Sequence, residues 1–256
     1  MPPAITADGV CKAFYSRRRK SLVVAMRDVS FSVMPGEFVC IVGPSGCGKS
    51  SLLRILAGLD RPTSGRVDVA GTSGRRGPAM VFQEFSLFPW LTIEQNIAFP
   101  LQVGRVPRAE QRARVDPLLE KMGLLDFRNA YPYQLSGGMK QRVAVARALA
   151  DDRTVLLMDE PFGALDEQTR VMLQQELLRV WSETNKTVVF VTHSVDEALT
   201  LGDRVMVMSA RPGRIREVVD VPFGRPRSVL ELRHQPSYGD LVYRVWKLLG
   251  DRGALA

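Results

Sequence analysis

Long apolar runs are missing from this sequence. The longest stretches, such as Phe38–Val42, Val155–Met158 and Val188–Val191, are four or five residues, whereas a membrane-spanning helix takes about 20. Cysteine is scarce: Cys11, Cys40 and Cys47 are an odd number and too few to staple a scaffold, which points to a reducing cytosol. Histidine is scarcer still. His193 and His234 are the only two, and no cysteine–histidine pair has zinc-site spacing. The opening residues, Met1–Asp8, lack a charged segment followed by an apolar stretch, so no secretory signal is expected. Internal repeats and low-complexity segments are absent as well. What is present is ordinary globular material. With 256 residues, 45% of them hydrophobic, the chain can bury roughly 70–75% of its unfolded surface. That excludes disorder, collagen and a disulfide miniprotein. The net charge of +8 suits nucleic acid, anionic lipid or a phosphate-bearing ligand and does not choose among them.

Periodicity organises the chain. Val29, Phe31 and Val33 alternate with Ser30 and Ser32, Pro35-Gly36 marks a turn, and Phe38–Val42 is uniformly apolar. Residues 29–42 are therefore expected to form a hairpin whose second strand is fully buried. Val155–Met158, Val188–Val191 and Val205–Met208 repeat the buried-strand pattern, with helical patterns between them. Buried parallel strands alternating with helices predict an α/β sheet. From about Glu84 to Ala150 the spacing is helical throughout, as in Val115, Leu118, Leu119 and Met122. Pro117 lies inside that pattern, and an interior proline costs a helix about 3 kcal/mol. A break is expected, with Asp116 capping a helix that restarts at Pro117. Arg17-Arg18-Arg19-Lys20 reads as a solvated loop between strands, and Tyr238–Leu249 as an amphipathic helix after a proline- and arginine-rich stretch.

Three segments carry chemistry. Gly43-Pro44-Ser45-Gly46-Cys47-Gly48-Lys49-Ser50, followed by Ser51, has the spacing of a phosphate loop between a buried strand and a helix. Its glycines let backbone N–H groups curl around phosphate, and the helix N-terminus adds positive potential. Lys49 is placed for the β- and γ-phosphates and Ser50 for Mg²⁺. Cys47 sits among those amides and beside Lys49, which predicts a reactive thiol of lowered pKa. Val155–Met158 runs into Asp159 and Glu160. Asp159 is positioned beside the metal, and Glu160 to orient or deprotonate an attacking water. In Leu135-Ser136-Gly137-Gly138-Met139-Lys140-Gln141-Arg142, a serine N-cap and two glycines open a helix, making a second anion cradle.

Taken together, these segments resemble the ATP-binding subunit of an ABC transporter over about residues 5–249, with LSGGMKQR shortly before VLLMDE the most specific feature. The resemblance implies an α/β fold: a phosphate-loop ATPase core with a mostly parallel sheet, an N-terminal antiparallel β portion and an inserted helical subdomain. As one domain over 1–256, it would have 1–84 and 151–220 as core, 85–150 as helical subdomain and 221–256 as a C-terminal helical extension. It implies ATP and Mg²⁺ as ligands, bound between two head-to-tail subunits. Ser136, Gly137 and Gly138 of one subunit would then face the phosphate loop of the other. Phe14, or its neighbour Tyr15, matches the ring that stacks on adenine. Gln83 matches the glutamine that touches Mg²⁺ and water, Ala164-Leu165-Asp166 the loop crossing the dimer interface, and His193 the contact to the γ-phosphate. Many relatives carry aspartate where this chain has Ser194, but Ser194-Val195-Asp196-Glu197 can serve as a capping box.

The branch is suggested by Leu87-Phe88-Pro89-Trp90, Phe162–Arg170 and Arg211-Pro212-Gly213-Arg214-Ile215, which resemble importers for nitrate, sulfonate and taurine. The expected partners are an identical or second ATPase subunit, permease subunits bordering the apolar segment Phe85–Thr92, and, indirectly, a periplasmic or extracellular solute-binding protein. The expected location is the cytoplasmic face of the membrane, peripherally bound. The given sequence runs only a short way past the core, so no added regulatory domain is expected. The competing reading is a nucleic-acid-associated ABC ATPase. Against it stand a single cassette, no room for a coiled coil and no basic stripe studded with aromatics, so no nucleic acid is expected.

Overall fold

The computed structural model describes residues 1–16, 20–70, 77–163 and 165–250. In chain order β1 (Ile5–Ser16), β2 (Ser21–Val33) and β3 (Phe38–Val42) lead into α1 (Lys49–Leu56), then β4 (Ser64–Val69) and the short β5 (Ala79–Val81). Three helices follow without an intervening strand: α2 (Ile93–Val103), α3 (Arg108–Lys121) and α4 (Gly137–Ala150). The chain continues through β6 (Val155–Asp159), α5 (Glu167–Thr184), β7 (Thr187–Thr192), α6 (Val195–Leu201), β8 (Arg204–Met208) and β9 (Ile215–Asp220) to α7 (Val229–Leu232) and α8 (Pro236–Gly250).

The uniformly apolar runs become the middle of a six-stranded sheet ordered β5-β6-β7-β3-β8-β9. Its neighbours are parallel except for β9, which closes the edge antiparallel to β8. Side chains alternate across it, so the sheet divides two cores. Phe38, Cys40, Val42, Val188 and Phe190 face a core shared with α2, α4, α5 and α6. Val39, Ile41, Val189 and Val191 face α1 and a three-stranded antiparallel sheet ordered β2-β1-β4. Both faces are covered, which is why these strands have no polar face.

Two expectations are corrected. Residues 29–42 do not form a hairpin, because β2 pairs with β1 in one sheet and β3 lies between β7 and β8 in the other. The burial patterns give the reason. β2 is half-exposed and suits an antiparallel outer layer, whereas all five residues of β3 are buried and need parallel neighbours on both sides. Nor does Pro117 break its helix, since α3 runs through it. Pro117 and Ala113, whose carbonyl loses its donor, both lie on the solvent side, where water can replace the bond. Asp116 does not cap but pairs with Arg128. The Arg17–Arg19 run falls outside the described residues; Lys20 is an exposed turn residue.

Candidate nucleotide site

The phosphate loop leaves the C-terminal edge of β3 and enters α1, as its sequence requires. Gly46 and Gly48 have φ of +75° and +104°, a conformation costly to side chains with a Cβ. Gly43 has no room for one, since a Cβ there would lie 2.9 Å from Cys47 Sγ and 3.0 Å from Met208 Cβ. Lys49 is buried, and its Nζ donates to the Gly43 and Pro44 carbonyls at 2.7 and 3.3 Å. Over this loop opens a cavity of about 610 Å³. Ser45, Gly46, Gly48, Lys49, Ser50 and Ser51 form its floor, Phe14, Val23 and Ala25 one side, and Gln83, Glu160 and Arg211 its remaining lining. Phe14 lines the cavity and Tyr15 does not. Lys12 Nζ sits 5.1 Å over the Phe14 ring.

The carboxylates arrive from β6. Ser50 Oγ donates to Asp159 Oδ1 at 3.0 Å. Burial pushes the Asp159 carboxyl above its ordinary range, the Ser50 hydrogen bond pulls the other way, and the charge of Glu160 adds to the rise. A cation beside Asp159 would relieve that cost. Among the described residues no group of three His, Cys, Asp or Glu side chains could hold a metal alone. The Ser50 hydroxyl and the Asp159 carboxylate, 3.0 Å apart, are oxygen donors of the kind that suits an ion such as Mg²⁺, which keeps few protein ligands and takes the rest from phosphate and water. Glu160 follows at φ +47°, a strained position for a non-glycine residue. Its N–H donates to Val191 O at 2.9 Å, fixing it against β7. His193, just past β7 and largely exposed, brings Nδ1 to 3.2 Å from Glu160 Oε2.

Other predicted residues lie elsewhere. None of Ser136, Gly137, Gly138 or Asp166 lines the cavity. Ser136 caps α4, accepting from Met139 N at 3.3 Å. Gly138 packs against Leu165, where a Cβ would come within 3.2 Å of Cδ2. Asp166 caps α5, and its bonds from the Thr169 backbone and side chain hold its carboxyl below the ordinary range. Ala164 lies outside the described residues. The start of α4, where the sequence predicts a second anion cradle, thus lies outside the cavity, with Ser136 and Gly137 exposed.

Two local expectations fail. Cys47 contributes backbone to the loop, but its side chain is buried in the core beneath. Burial pushes its thiol up despite Lys49 beside it. The capping box at α6 is half-formed. Ser194 Oγ accepts from Glu197 N at 3.2 Å, but the Glu197 carboxylate turns inward to Thr192 and Gln174. Sequence reasoning did not place Val23, Ala25 and Arg211 at the cavity. Only Arg211, inside a noted Arg-Pro-Gly segment, gave any signal.

Behind Gln83 the chain forms a second, more apolar groove of about 520 Å³, lined in part by Leu59, Met80, Phe82, Phe88, Phe99 and Val103. Phe88 packs on Phe99 at 4.4 Å and on Trp90 at 5.7 Å. Trp90 is 70% exposed. Arg147 of α4 donates to Ser86 O at 2.9 Å and lies 5.6 Å over the Phe88 ring. No helix among the described residues is long and apolar enough to cross a membrane.

Comparison with known proteins identifies the family. The family described as ABC transporter matches residues 26–163. The nitrate import ATP-binding protein NrtD of Synechococcus elongatus is 48% identical, over 85% of this chain and 82% of that protein. The taurine import ATP-binding protein TauB of Roseobacter denitrificans is 43% identical, over 88% of each. A solved dimeric structure, the post-hydrolysis state of the ATP-binding cassette MJ0796 bound to ADP and Pi, matches with a TM-score of 0.77 at 35% identity, covering 86% of this chain and 100% of that one. A phosphate loop after β3 with two acids at the end of β6, two places away in the sheet, and relatives that align along most of the sequence, lead to one conclusion: the chain belongs to the ABC transporter family.

Proposed function

We propose that this ABC ATPase energises an importer of a small solute, with nitrate, taurine and related sulfonates as the first candidates. The reading is carried by one observation. Lys49, Ser50, Gln83 and Glu160 line a single cavity above the phosphate loop, with Asp159 bonded to Ser50 and His193 beside Glu160 just outside the lining. ATP enters with its base toward Phe14 and its phosphates on the loop amides. Lys49 exchanges its bonds to the Gly43 and Pro44 carbonyls for phosphate oxygens. Ser50, Asp159 and Gln83 would hold Mg²⁺, whose charge would offset that of the phosphates. Glu160 accepts a proton from water as the water oxygen bonds to the γ-phosphorus. The bond from that phosphorus to the bridging oxygen breaks, leaving ADP. His193 holds the Glu160 carboxylate in place and reaches the γ-phosphate.

The nucleotide is completed from the other side by Ser136, Gly137, Gly138 and Asp166 of a second subunit, identical or related, since these groups lie outside the chain's own cavity. On this reading residues 85–150 act as a helical subdomain that carries the signature against a core of 1–84 and 151–220, with 221–256 as an extension. The apolar groove around Phe88 receives a permease segment, which places the subunit on the cytoplasmic face of the membrane. The taurine and nitrate import names of the relatives support this direction of transport. The decisive experiment reconstitutes the subunit with its permease and solute-binding protein in liposomes. ATP-dependent uptake of nitrate, taurine or an alkylsulfonate is expected, and ATPase activity with no uptake of any of the three overturns the proposed solute class.

A further inference from the structure

We infer that Arg211 is a positioning residue of the nucleotide site: it ties back the Gly46 carbonyl of the phosphate loop and adds positive charge to the cavity that receives the phosphates. The inference rests on the ATP-binding reading above and goes beyond the residues that reading uses.

The segment Arg211-Pro212-Gly213 is the turn between β8 and β9, far from the loop in sequence but pressed against it in space. Ser209 closes the turn: its N–H donates to Arg214 O at 2.9 Å, and its hydroxyl accepts from Arg214 N at 3.0 Å. Gly213 stitches the turn to β2, donating to Ala25 O and accepting from Arg27 N, both at 2.9 Å. A Cβ on Gly213 would lie 2.0 Å from Cys47 O. Only glycine lets the turn approach the loop so closely. The turn is therefore fixed on both sides, and it delivers one side chain to the cavity.

That side chain meets the loop at a defined atom. Arg211 Nε donates to Gly46 O at 3.1 Å, and a Cβ on Gly46 would lie 3.1 Å from Nη2. Lys49 already occupies the carbonyls of Gly43 and Pro44. Cationic side chains thus tie back three loop carbonyls, which leaves N–H groups to face an anion. Lys49 must exchange its partners when phosphate arrives. Arg211 bonds a different carbonyl, so its tie to Gly46 is independent of that exchange. A guanidinium suits this task better than an ammonium, since its fork can bond the carbonyl while its remaining charge faces the cavity.

The test compares Arg211→Gln and Arg211→Lys with the wild-type chain by calorimetric titration of ATP and ADP, steady-state ATPase and thermal melting. Loss of a charge-assisted contact is expected to raise Kd for both nucleotides, and KM for ATP, about tenfold in Arg211→Gln. The kcat should stay within about twofold, because the reacting groups are untouched. Arg211→Lys should recover part of the affinity, as it keeps the charge without the fork. Kd and KM near wild type, with the change confined to melting temperature or kcat, overturn the inference. So does an Arg211→Lys no better than Arg211→Gln. If Arg211→Gln does not fold, Arg211→Lys alone decides by its Kd. Failure of the wild-type chain to bind either nucleotide would instead sink the ATP reading itself.

Discussion

Glu160 and Cys47 show how residue-scale chemistry departs from residue type. Glu160 sits at positive φ with its amide bound to Val191 O, which fixes its backbone, and His193 Nδ1 meets its carboxylate at 3.2 Å. Glu160→Gln keeps the shape and removes the proton acceptor. Turnover should fall at least about 100-fold, the smaller end of what a general base supplies, while ATP affinity stays near wild type. Single-turnover hydrolysis alongside nucleotide titration checks this, and near-normal turnover would remove Glu160 from the role. Cys47 runs the other way. A thiol beside Lys49 in an amide-rich loop promises reactivity, yet the side chain points into the core and burial outweighs the lysine. Thiol reagents should leave Cys47 and the equally buried Cys40 unmodified in the native protein. They should modify all three cysteines after denaturation, as mass spectrometry of the labelled chain will show. The pH dependence follows. The folded state holds the Cys47 proton above the ordinary thiol value of 9.0. The associated stability is fully present below that value and is lost as pH rises through the raised one. Denaturant midpoints measured from pH 7 to 10 should decline at the alkaline end, and less so in Cys47→Ala.

Elements were legible to the extent that one periodicity governed them. β3, β6, β7 and β8 announced themselves because both faces are buried, and α8 because its apolar positions recur at helical spacing. β1, β4 and β9 did not. Their half-exposed faces mix charged and apolar residues, and β1 changes register repeatedly against β2. The false hairpin at residues 29–42 arose because a turn signal fixes a reversal locally but not the sheet that each strand joins. Pro117 misled because proline's cost depends on whether water can reach the orphaned carbonyl. The segment before α2 is a different matter, being irregular yet firmly held. Asn96, fully buried, accepts from Phe88 N at 2.9 Å and donates to Phe88 O, Leu91 O and Thr92 O at 3.0–3.1 Å. Asn96→Ala takes the side-chain partner from Phe88 N and Leu91 O, while Phe88 O and Thr92 O keep the Leu91 and Asn96 backbone N–H groups, and should cost about 1–3 kcal/mol of stability. Trp90→Ala, at an exposed position, should cost within about 0.5 kcal/mol. If Trp90 anchors the permease, the same change should weaken association by about 2 kcal/mol or more. Melting curves and permease pull-down on both variants separate the roles. A Trp90→Ala that destabilises as Asn96→Ala does would make Trp90 a packing residue.

At the scale of the whole molecule, the sheet brings residues more than a hundred positions apart to one cavity, joining Phe14, Lys49, Gln83, Glu160 and Arg211. The phosphate loop and both acids were legible because their motifs are local. Phe14 over Tyr15 was not, since adjacent strand residues face opposite sides and only the fold says which side holds the cavity. What the fold keeps apart is as telling. The start of α4 offers a capped, glycine-opened N-terminus that its own phosphate loop does not meet. If two chains associate about a twofold axis with loop facing signature, each site takes one half from each chain. This can be tested by complementation. Lys49→Ala disables the loop. Gly137→Asp disables the signature without straining it: a Cβ there meets only Phe85 Cζ at 3.7 Å, and an acid in the first turn favours the helix while repelling phosphate. Each variant alone should be inactive. Mixed in equal amounts, half of the dimers pair one of each. Such a dimer has one doubly defective site and one intact site, so about one quarter of wild-type sites return. ATPase activity recovered toward that fraction, together with ATP-dependent dimers in sedimentation, is the expected outcome. No recovery and no dimer in the mixture would place both halves of the site within a single chain.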